Sequence, residues 1–169
     1  MKTIYDREAQ RSEQESICVF TWESPDKQLM LELPEGFHEM EKERREENYP
    51  LFERPEIILE DEEEKVQLTL QFFDKPMKKE DTKEAVWQIY VLMKEFFMQY
   101  PKSPVYLNEN DGIPVGWFMM HMNNMGKEHM KAVFPIKGKM TLLTLTYPEK
   151  ESVKWRAFTG HLLASIQEV

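Results

Sequence analysis

The sequence predicts an α/β fold of the α+β type: a mostly antiparallel sheet sandwiched between helices, with a C-terminal three-strand meander followed by an amphipathic helix. Three observations carry this expectation. The runs Val115–Asn123, Lys127–Pro135 and Lys139–Tyr147 alternate in the manner of strands and are parted by two glycine turns. Two long segments, Asp81–Tyr100 and Glu149–Glu168, carry apolar residues at helical spacing. Both faces of the meander are largely apolar, which predicts a sheet covered on both sides.

The elements follow in order. Residues 1–16 are polar without clear periodicity and read as a separate N-terminal segment; 17–169 read as a single domain. Ile17–Trp22 is rich in β-branched and aromatic residues and reads as a strand in which Cys18 is a buried, inert thiol. Ser24-Pro25-Asp26-Lys27 suits a turn, and Leu29, Leu31 and Leu33 then share one strand face. The charged stretch Phe37–Glu47 is expected to hold a short helix, and Tyr49-Pro50 and Arg54-Pro55 to frame a loop. Ile57–Leu59 starts a strand that turns at Glu62-Glu63-Glu64 and returns through Lys65–Phe73, with Val66, Leu68, Leu70 and Phe72 inward.

The helix from Asp81 carries Ala85, Val86, Ile89, Leu92, Met93, Phe96, Phe97 and Tyr100 on its apolar stripe. Asp81 and Glu84 suggest a capping box at its start, and Pro101 ends it. Val105–Leu107 is a short strand, and a turn follows at Asp111-Gly112. Asn124-Met125-Gly126 and Ile136-Lys137-Gly138 each suit a three-residue hairpin loop. Those loops would place Trp117, Met119 and His121 on one face with His129, Lys131, Val133, Leu143 and Leu145. The closing helix has Trp155, Phe158, Leu162, Ser165, Ile166 and Val169 on one stripe.

The strand Gly138–Pro148 followed by a helix with Trp155, Phe158 and Ser165-Ile166, together with Leu33-Pro34-Glu35-Gly36-Phe37 near the start, resembles the PsbP-like (Mog-type) domains over about residues 17–169. The resemblance implies an antiparallel sheet between helices and a binding function, since the fold group includes a photosystem accessory protein, a Ran-binding release factor and chaperones of secreted effectors. No family site motif is matched residue by residue, so no site is carried over.

Composition narrows the function classes. The formal net charge is −9, and no basic patch of the kind that phosphate contacts require is visible, so nucleic acid is not an expected partner. The acids gather in Glu39–Glu47 and Glu60–Glu64, as solvated surfaces do. A single cysteine excludes an intrachain disulfide, and neither a signal segment nor an apolar membrane span is apparent, so a cytoplasmic location is expected. No phosphate-binding glycine loop, HExxH, CxxC or GxSxG is present, and neither catalytic residues nor a cofactor are expected. Asn108–Gly112 offers oxygen ligands but lacks the remainder of a calcium loop. In the register above His121 and His129 lie opposite each other, close enough to share a metal ion, with no third ligand beside them.

Methionine is the oddity: of 12, six lie between Met119 and Met140. Methionine adapts to irregular apolar surfaces, in cores and in binding grooves alike. The candidate partner-binding residues are therefore Trp117, Met119, Met120, Met122, Met130 and Trp155. The function expected is a non-catalytic protein-binding module, chaperone- or adaptor-like, with self-association into a homodimer as a further possibility. The alternative is a small-ligand protein or enzyme with a pocket around His121, His129 and Lys131.

Overall fold

The computed structural model describes residues 17–26, 28–50, 54–109 and 112–169. The expected N-terminal segment 1–16, Lys27 of the first turn, the centre of the 49–55 loop and Asp111 of the 111–112 turn lie outside the described residues. Two antiparallel sheets form. The small one runs β1 (Val19–Glu23), β2 (Leu29–Pro34) and β10 (Gln167–Glu168). The large one has the order β3-β4-β5-β9-β8-β7-β6, built from β3 (His38–Glu39), β4 (Ile57–Asp61), β5 (Val66–Pro76), β6 (Tyr106–Glu109), β7 (Pro114–Met122), β8 (Lys127–Ile136) and β9 (Lys139–Pro148). Helices are α1 (Lys42–Asn48), α2 (Thr82–Phe96) and α3 (Ser152–Ala164).

Both faces of the large sheet are covered. On the inner face, Val66, Leu68, Leu70, Met130, Ala132, Phe134, Leu143 and Leu145 form one core with Leu29, Leu31 and Leu33 of the small sheet and Trp155, Phe158 and Leu162 of α3. On the outer face α2 lays Ala85 and Val86 against Phe118, Val133 and Met140. The inner face is thus covered by a second sheet as well as a helix. β1 and β2 do not join the meander's sheet; the β2 leucines instead serve as the opposing layer.

α2 approaches β7 at Gly116. A Cβ there would stand 2.6 Å from Val86 Cγ1, so only a residue without one lets helix and strand meet. The start of α2 differs from the expected capping box. The Asp81 carboxylate accepts from Lys78 N–H at 2.9 Å within a 3₁₀ turn, and the helix begins at Thr82. It ends at Phe96, short of the expected Tyr100. The closing helix is shorter too: it stops at Ala164, and Gln167–Glu168 pair with β2. Cys18 precedes β1 and is exposed, contrary to the buried thiol expected.

The hairpin loops overturn one register. Met122 pairs with Lys127, leaving a four-residue loop, 123–126; Ile136 pairs with Lys139, leaving the two-residue turn Lys137-Gly138 with both φ positive. Each loop differs by one residue from the three expected, so β8 alone is flipped. Met130, Ala132 and Phe134 point inward, while His129, Lys131 and Val133 point outward.

Candidate interaction surface

The flip of β8 separates the two histidines. His121 sits opposite Glu128, and His129 sits opposite Met120, so the imidazoles lie on opposite faces and cannot share an ion. The methionine stripe is mostly core: Met119, Met120 and Met130 are buried, as is Trp155, which packs against Phe37, Tyr147 and Phe158. Met120, Met130 and Trp155 fill space between layers and offer no surface to a partner, and Met119 shows only an edge. Trp117 and Met122 keep partial exposure.

Trp117 belongs to a different constellation. Its ring lies 4.7 Å from that of Tyr106, and its Nε1–H donates to Asn108 Oδ1 at 3.1 Å, both partners belonging to β6. Tyr106, Trp117, Met119, Ser103, His121 and Arg156 line a cleft of about 270 Å³ between the sheet edge and α3. Two of these lining residues, His121 and Arg156, contact a carboxylate buried behind them. Glu128 accepts from Arg156 Nε at 2.7 Å, from Arg156 Nη2 at 2.8 Å and from the Tyr147 hydroxyl at 2.6 Å, with His121 Nδ1 at 3.1 Å. Burial works against the Glu128 charge, yet the hydrogen bonds from Arg156 and Tyr147 and the positive charge nearby outweigh it and hold the carboxyl below its usual range. Burial, and then the Glu128 contact, pushes the Tyr147 phenol far up, so it stays a donor. Ser103 spends its hydroxyl proton on the Pro104 carbonyl at 2.8 Å, so it is not set up as a nucleophile by His121.

The cleft opens beside a bare sheet edge. β6 ends the strand order, so among the described residues one side of its backbone has no strand partner. Apolar groups flank that edge on both faces. Tyr106 and Trp117 stand on the inner face, and Leu107, paired with Gly116, stands on the outer face where α2 packs. On α2, Trp87 and Val91 are 46% and 47% exposed, and Tyr106 and Leu107 are 43% and 44% exposed. Beyond them, Met98 lines a second hollow with Tyr90, Lys94 and Lys102. The sequence signal for this belt was present: Trp87 and Val91, one turn apart, fall outside the predicted core stripe of α2.

Elsewhere, His38, Glu60 and Glu62 bring ligand atoms within 4.8 Å of one another. Arg44 already holds both Glu60 oxygens at 2.7 Å, so that group is neutralised by its own cation. No helix among the described residues is long and apolar enough to cross a membrane.

Comparison with solved structures decides the fold. A cyanobacterial PsbP (CyanoP) from Synechocystis sp. PCC 6803 superimposes with a TM-score of 0.67 at 11% identity, over 90% of this chain and 94% of that one. The chain has the PsbP-like, Mog-type fold. The Saccharomyces cerevisiae Ran-binding protein Mog1p matches with a TM-score of 0.55 at 13% identity, over 90% of this chain and 96% of that one. LpqN of Mycobacterium tuberculosis, involved in cell envelope biogenesis, matches at 0.50 and 10% identity, over 99% and 98%. No family model matches the chain, and no curated protein matches it in sequence. At these identities the likeness is one of architecture, and the β6 surface stands on this chain's own residues.

Proposed function

We propose that this PsbP-like chain is a non-catalytic protein-binding module that takes an extended segment of a partner protein along the edge of β6. The observation that carries this reading is the pairing of a bare strand edge with apolar groups on both of its faces. An added strand gains main-chain hydrogen bonds, and its alternating side chains need apolar seats above and below the sheet. Tyr106 and Trp117 supply one seat, in the cleft over Arg156 and His121; Leu107 with the Trp87 flank of α2 supplies the other. Lys83 and Lys94 stand on that flank, which favours a segment with acidic residues among its apolar ones. One relative of the fold, Mog1p, is described as Ran-binding, which agrees with a protein-partner role for the architecture without naming a partner here. A chaperone- or adaptor-like role is the finer form of the proposal.

The experiment is site-specific photo-crosslinking of the full chain in cells, with the probe at Leu107 or Trp87 and a control at Glu63. A discrete heterologous product at 107 and 87, absent at 63, is the expected result. Equal labelling at all three positions would sink the reading. Products containing only this chain would replace the partner with a second copy and make the surface a dimer interface.

A further inference from the structure

The outer face of the large sheet changes character across β8. Beneath α2 it is apolar; beyond α2 a polar band crosses β8, β9 and β5, bounded on β4 by the buried Ile58. Strand pairing sets His129 opposite Thr146 and Lys131 opposite Thr144, and β5 then places Gln67 beside Thr146 and Thr69 beside Thr144. Lys131 is largely buried there, and Nζ donates to Thr144 Oγ1 at 3.1 Å, its one hydrogen-bond partner among the described residues. His129 Nδ1 is buried with no hydrogen-bond partner among the described residues. A part-buried ammonium with one hydroxyl for a partner, beside a buried imidazole nitrogen with no partner among the described residues, is polar capacity left unspent.

The surrounding charges do not satisfy it. On the same strand Lys127 adds a second positive charge. On β4, Glu60 faces the same way, but Arg44 of α1 holds both its oxygens. On α2, Lys83, Glu84, Lys94 and Glu95 are exposed. At the margin of the patch lies Leu142, two residues from Thr144 on the same face of β9, half-buried against the α2 core, which continues from there through Phe73, Ile89 and Met93.

We propose that Lys131, Thr144 and His129 form the polar end of a binding site for a small monocarboxylate carrying a short apolar tail. The Lys131 ammonium would pair with the carboxylate. Thr144, whose oxygen already accepts from Lys131, keeps its own hydroxyl proton to donate. The neutral His129 ring can donate from Nδ1, which fixes its tautomer. One cation suits a monoanion better than a doubly charged phosphate, and the half-buried apolar margin suits a tail. The site is separate from the β6 edge and does not depend on the proposed partner.

Titration supports this geometry. Burial pushes the Lys131 ammonium down to about 8, and burial with the two nearby lysines pushes the His129 imidazole down to about 3. A bound carboxylate favours the charged lysine and must raise its titration midpoint; by linkage, the affinity falls as pH rises through about 8.

The test uses the full chain with hexanoate as probe and inorganic phosphate as comparison. Lys131 is followed by side-chain ¹⁵N and ¹³C shifts across pH 6–11, and thermal unfolding is measured in parallel. Hexanoate is expected to raise the Lys131 midpoint by about one unit or more, a roughly tenfold preference for the charged form. It should also raise the unfolding temperature of the native chain saturably and leave Lys131→Met unmoved. A midpoint unchanged at saturating hexanoate, or an equal thermal response in Lys131→Met, overturns the site. A response to phosphate and not to hexanoate overturns the carboxylate assignment. Should Lys131→Met fail to fold, Lys131→Gln and the native titration still decide the question.

Discussion

Glu128 and Arg156 are locked in a two-pronged ion pair, Nε to Oε1 at 2.7 Å and Nη2 to Oε2 at 2.8 Å, joining β8 to α3. The carboxylate is fully buried, whereas the guanidinium is half exposed on the cleft side. The two partners are therefore unequal. Removing Arg156 strands a buried charge; removing Glu128 releases a cation to water. Arg156→Ala should destabilise the fold by about 3 kcal/mol, the low end for a broken buried pair because one partner is already wet. Glu128→Gln should cost less, and urea unfolding of both variants measures the difference.

The same pair sets a pH dependence. The folded Glu128 carboxyl is held below its unfolded value, so its contribution is full above the unfolded carboxylate range and is lost as pH falls through the folded value. Unfolding followed from pH 7 down to pH 2 should therefore show the native chain losing more stability than Glu128→Gln. Parallel curves for the two would remove Glu128 from the account.

Gly116 and Val86 make a second sharp relationship. A methyl group at residue 116 would meet both Val86 Cγ1 at 2.6 Å and Val86 Cβ at 2.7 Å, and neither atom is the free end of a flexible chain. Gly116→Ala should push α2 from β7 and cost about 1–3 kcal/mol, as overpacking does. Val86→Ala opens space at the same spot. The double variant should be less destabilised than the sum of the singles by about 1 kcal/mol, and a strictly additive cycle would show that the contact is not the cause.

Much of this fold is legible from alternation alone, and the part that is not turns on two loop lengths. Leu29, Leu31 and Leu33, or Val66, Leu68 and Leu70, announce one buried face, and all six side chains are fully buried. β8 cannot be oriented that way, because Met130-Lys131-Ala132-Val133-Phe134 is apolar enough on either face. Its orientation depends on 123–126 forming a four-residue loop and Lys137-Gly138 a two-residue turn. Asn-Met-Gly and Ile-Lys-Gly also fit a three-residue loop, so local turn chemistry leaves the parity open. The histidine pair was lost with that parity, and the Glu128 network was hidden by it. The methionines were legible as apolar and not as buried, since flexible side chains suit both settings.

The β6 edge yields a prediction that separates binding from folding. Leu107 is exposed, and a lysine there is a common way for proteins to blunt an open edge. Leu107→Lys should change stability by no more than about 0.5 kcal/mol. It should abolish heterologous photo-crosslinking from a probe placed at Trp87. Tyr106→Ala removes the ring that stacks beside Trp117 and should weaken the same crosslink. If Leu107→Lys leaves capture at full strength, the edge is not the docking line.

Lys131 gives the last prediction, with no ligand present. Its folded value of about 8 lies below the ordinary 10.5, so between those limits the unfolded chain binds the extra proton and the native chain does not. Below pH 8 both states are protonated and the burial penalty is full. As pH rises from 8 to 10.5 the penalty is relieved, and the native chain gains stability on the order of 3 kcal/mol from this group. The quantity to measure is the difference between the native chain and Lys131→Met, in which contributions from other groups cancel. That variant should be the more stable at pH 7, and its advantage should shrink steadily toward pH 10.5. An advantage that stays constant with pH would mean that packing, not the buried charge, separates the two.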